Sequence, residues 1–89
     1  MIQVLKIKQQ YADRIVDRVK KFEIRKNDRD YQVGDIIRFK VLDNNCYEHI
    51  DINHPLTDTE WDIIYIHTGL GMEKGYVVLG IEPVSERKE

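Results

Sequence analysis

The chain has 89 residues, of which 42% are hydrophobic and 34% charged, with a formal net charge of −2. That length holds one domain around one core. No apolar run exceeds the four residues of Ile63 to Ile66 or Tyr76 to Leu79, too short for a membrane-spanning helix or a signal-peptide core. The single cysteine excludes an internal disulfide and fits a reducing cytoplasm.

In chain order, Met1 to Ile7 alternates and reads as a first strand, with Ile2, Val4 and Leu5 as its apolar residues. Gln10 to Lys20 changes period. Ala12, Ile15, Val16 and Val19 fall at i, i+3, i+4 and i+7, the apolar stripe of a three-turn helix. Lys21 to Arg25 reads as a strand with Phe22 and Ile24 facing the core and Lys21, Glu23 and Arg25 facing water. Asn27 to Asp30 is a polar loop, and Val33-Gly34-Asp35 is a turn. Asp35 to Leu42 puts Ile37, Phe39 and Val41 on one face and Arg38 and Lys40 on the other. Were these two strands to pair, Arg38 and Lys40 would extend the ridge of Lys21, Glu23 and Arg25. Cys46 to Pro55 reads as a short strand or an excursion. Glu60 to His67 and Gly75 to Pro83 are the last strands, rich in β-branched residues. One main helix among five to six short strands predicts an α+β fold with a compact barrel over residues 1–84, followed by a charged, frayed tail, residues 85–89.

Charge is unevenly spread. Residues 1–40 carry +5 and residues 41–89 carry −7. Arg18 to Arg29 holds six basic residues against Glu23 and Asp28, the footprint of a face that meets a polyanion. A solvated surface accounts for the same charges.

The stretch Lys20 to Asp35 goes further. Its Lys20-x-x-Glu23-x-Arg25 element, its Asn27-Asp28-Arg29-Asp30 loop and its Val33-Gly34-Asp35 turn resemble the signature of the ASCH superfamily (activating signal cointegrator homology). Within it, the chain is similar to a small bacterial and phage branch that also carries Leu5-Lys6-Ile7 and Gly75 to Ile81 in this form. The family glycine of the GxKxxExR element falls at Arg18, so this chain lacks the most permissive residue at that turn. The resemblance implies a PUA-like β-barrel and an RNA- or modified-nucleoside-binding cleft flanked by the helix. Its binding residues would be Lys20, Lys21, Glu23, Arg25, Lys26, Arg29, Tyr31 and Arg38. Arg25 suits bidentate contact with a phosphate or base edge, and Glu23 can accept from an exocyclic amine. The same residues also make sense as a Lys-Glu-Arg ladder that sets strand pairing.

Two other function classes compete. Some ASCH relatives hydrolyse acetylated cytidine with a lysine and a threonine in this element, and others are described as ribonucleases. Here Glu23 occupies the threonine position, and a Lys20–Glu23 pair disfavours a neutral lysine, so Lys20 and Glu23 stand only as candidate catalytic groups. The acidic second half offers a protein-interaction surface instead. Cys46, His49, Asp51 and His54 lack a second ligand pair at zinc spacing, so no metal or cofactor is expected. Gly69 and Gly71 form no phosphate-binding loop, and His67 reads as a surface residue. Trp61 and Tyr65 share one strand face, as core or as a stacking platform for a base; Tyr31 either stacks a base or covers the barrel end.

Overall fold

In the computed structural model, which describes residues 1–87, the chain forms β1 (Ile2–Lys8), α1 (Gln9–Val16), β2 (Phe22–Lys26), β3 (Ile36–Leu42), β4 (Glu60–His67) and β5 (Tyr76–Pro83). The five strands make one sheet in the order β1-β3-β4-β5-β2. β1 runs parallel to β3, and every other pair is antiparallel. The sheet curls into a half-barrel with the helix beside it, an α+β architecture consistent with a small PUA-like barrel. No helix is long and apolar enough to cross a membrane.

The core lies inside the curl. Strict alternation works as read on β3, where Ile37, Phe39 and Val41 are fully buried. Ile63, Val77, Leu79 and Ile81 join them, and Trp61 meets Phe39 edge to face at 6.4 Å between ring centroids. On β1 the expected apolar residues divide between the two faces. Gln3, Leu5 and Ile7 point inward, while Ile2 and Val4 lie on the outer side.

β2 is the larger correction. Phe22 and Ile24 face out, and Glu23 is the buried residue, only 4% exposed. β2 adds nothing to the apolar core, and it pairs with β5 rather than β3. Two further readings change. The helix spans eight residues and stops at Val16, because Arg18 adopts φ 67°, leaving Val16 and Val19 exposed. Irregular register between Ile63 and Tyr65 turns Tyr65 outward, so it does not share the buried face of Trp61.

The Val33-Gly34-Asp35 turn has a structural explanation. Gly34 takes φ 97°, a conformation that favours glycine. Asp35 accepts the Gln32 N–H at 3.0 Å. Burial works against its charged form, but that bond, the Met1 amino group and the Gln3 side chain outweigh it and hold the carboxyl below its usual range. The 43–59 excursion consists of turns, with Ile50 bridged to Leu42. After β5 the chain makes a 3-10 turn over Val84–Glu86, and Arg87 forks onto Asp62 with bonds of 2.6 and 3.0 Å, so the start of the expected tail is anchored. Lys88 and Glu89, the end of that tail, lie outside the described residues.

Candidate nucleic-acid interface

The outer strands of the sheet, β1 and β2, are its two open edges, and the curl brings them face to face. An open edge carries unpaired backbone groups that must find partners. Here arginines supply them. The Arg25 Nη2 donates to the Lys6 carbonyl at 2.6 Å, and the Arg29 Nη1 donates to the Val4 carbonyl at 3.1 Å. Both arginines therefore brace β2 and its following loop against β1.

A cleft of about 390 Å³ opens along this junction, lined by Lys6, Ile7, Lys8, Tyr11, Lys20, Glu23, Ile24, Arg25 and Lys26. Such a volume lies within the usual range for small-ligand sites, about 300–1,000 Å³. Five cations surround one carboxylate. Glu23 is that carboxylate: Lys20 pairs with its Oε1, and the Arg25 Nε donates to its Oε2 at 2.7 Å. A buried charge persists when it is paired and hydrogen-bonded, and Glu23 meets both conditions. The Lys20 ammonium also lies 5.6 Å from the Tyr11 ring centroid and 5.3 Å from that of Phe22.

Among the described residues, Lys6, Lys8 and Lys26 make no ion pair. Lys8 instead lies 5.5 Å from the Tyr47 ring. These three lysines are available to an anion, whereas Lys20 and Arg25 are already committed to Glu23.

Lys20, Glu23, Arg25 and Lys26 thus meet in one cleft, while Arg29 does not line it and instead braces the Val4 carbonyl. The other expected site residues do not join them. Arg38 pairs with Glu60, on the β3–β4 side of the sheet. Lys21 precedes β2 and does not line the cleft. Tyr31 is buried and covers the barrel interior; burial raises its phenol pKa against the pull of Arg29 and Arg25. The structure adds Lys6, Lys8 and Tyr11, which sequence reasoning passed over. Their signal was the Lys6-x-Lys8 spacing, which puts both lysines on one side of a strand once Leu5 and Ile7 are inside.

Among the described residues no group of three metal-binding side chains converges. His54 instead bonds Asp13 at 2.7 Å and accepts the Leu56 N–H at 3.1 Å, tying the excursion to α1.

A family model described as domain of unknown function (DUF3850) matches residues 2–81, and the chain belongs to that family. The matched span contains every residue lining the cleft. A search of curated proteins finds no match.

Proposed function

We propose that the cleft between β1 and β2 binds RNA or a nucleoside-like ligand, and that the chain is an ASCH-type, PUA-like module of the cytoplasm. One observation carries the reading: three lysines without ion-pair partners among the described residues converge on a cleft whose floor is a carboxylate fixed between Lys20 and Arg25. Lys6, Lys8 and Lys26 would meet phosphate as point charges. Tyr11 and Ile24 offer apolar surface to a base. Glu23 holds Lys20 and Arg25 in place, one on each of its oxygens.

Titration of a labelled single-stranded oligonucleotide against salt tests this reading. Affinity should fall steeply as salt rises. Lys8→Ala and Lys26→Ala should each make the log–log dependence shallower by about one unit. Binding that ignores salt, or no binding at low salt, overturns the proposal. Turnover of acetylcytidine that disappears in Lys20→Ala would replace it with the hydrolase reading.

A further inference from the structure

We propose that the outer face of the sheet around Gly80, between Phe22 and Tyr65, is a base-stacking platform onto which a nucleic-acid strand passes from the cleft. The inference rests on the reading that the cleft takes such a strand. It adds a second contact surface on the opposite side of β2.

The platform follows from register. Gly80 pairs with Phe22 of β2 on one side and with Tyr65 of β4 on the other, so the three residues form one row across the sheet. Phe22 is 40% exposed and Tyr65 61% exposed. Gly80 keeps the floor between them low: a Cβ there would lie 3.2 Å from the Tyr65 Cβ, tighter than ordinary contact. In the next row Ile24 lies opposite Val78, and Ile24 is 51% exposed. Buried aromatics are explained by the core, but Phe22 and Tyr65 are not in it. An exposed pair of rings on a sheet suits stacked bases because every base offers a π-face.

Two residues join this face to the cleft. Ile24 lines the cleft and also stands on the outer side. The Lys20 ammonium lies close to both Tyr11, in the cleft, and Phe22, on the platform. Charge selects the occupant: Lys26, the last residue of β2, lines the cleft and makes no ion pair among the described residues, so a phosphate backbone would cross the edge there. A strand emerging there passes Ile24 and reaches Phe22 and then Tyr65.

The test is fluorescence anisotropy with labelled decauridylate and decathymidylate, with sedimentation of the free protein alongside. The variants are Tyr65→Ala, Tyr65→Phe, Phe22→Ala and Lys8→Ala, each checked for folding by circular dichroism. Tyr65→Ala and Phe22→Ala should each weaken binding about 5- to 150-fold in the ribo or the deoxyribo form, the cost of losing one stacked base. Tyr65→Phe should restore binding, because it keeps the ring. Loss with the alanine variants and none with Lys8→Ala would keep the platform and remove the cleft reading. Decamer binding that Lys8→Ala weakens while the ring variants leave it intact would overturn the platform alone. A wild-type dimer abolished by Tyr65→Ala would overturn it in favour of a second copy, and failure of the wild type to bind either decamer overturns platform and cleft together.

Discussion

Glu23 shows why residue type alone misplaces a face. Read by alternation, a strand of Phe, Glu, Ile and Arg turns its apolar residues inward, because burying a lone carboxylate is expensive. The structure inverts this, and only the two cations that meet Glu23 make the inversion affordable. Neither cation announces that role in sequence, since Lys20 lies before the strand and Arg25 looks like a surface residue. The arrangement predicts an asymmetry. Arg25→Met leaves a buried carboxylate with one partner and removes the brace to the Lys6 carbonyl; it should cost about 3 kcal/mol. Glu23→Gln removes the charge but leaves both cations near solvent, and should cost about 1 kcal/mol. Urea midpoints of the two variants measure this, and equal losses would show that Glu23 is not the charge the site is built around.

At the scale of elements, β3 and β5 were readable because apolar alternation and burial agree on them, as they do on β4 as far as Ile63. The edges were not. β1 carries apolar residues on both faces, so periodicity alone leaves its parity undetermined until Gln3 is seen inside. α1 was readable as a helix but not in its length. Its stripe continues on paper through Val19, yet the backbone exits at Arg18 in the left-handed region, which favours glycine. Arg18 is held there by contacts on its own side chain: its guanidinium lies 5.6 Å from the Trp61 ring and pairs with Glu86. Arg18→Ala loses both contacts and keeps the left-handed penalty, whereas Arg18→Gly loses them and sheds it. The glycine variant should therefore be the more stable by about 1 kcal/mol, after its greater unfolded-state freedom is allowed for. Thermal or urea unfolding of the pair decides it, and identical stabilities would mean that the helix exit adapts to its side chain.

Over the whole molecule, the sequence split of charge into a basic and an acidic half does not survive as two lobes. β3, from the basic half, sits beside β4, and its cations are neutralised there by Glu60 and Asp58. β1 and β2, at opposite ends of the sheet, are the strands whose lysines keep no carboxylate partner among the described residues, and the curl brings those lysines together. Like charges gathered in this way repel one another and cost stability unless an anion meets them. Hence Lys26→Gln should stabilise the free protein by a few tenths of a kcal/mol at low salt, in the range of single surface-charge effects. The gain should vanish near about 1 M salt, where the Debye length is about 3 Å. The same substitution should weaken binding of an oligonucleotide. Stabilisation together with lost affinity marks a charge kept for a ligand. A structural ladder predicts the reverse, with Lys26→Gln destabilising the protein at low salt, and unfolding of wild type and variant at two salt concentrations separates the two.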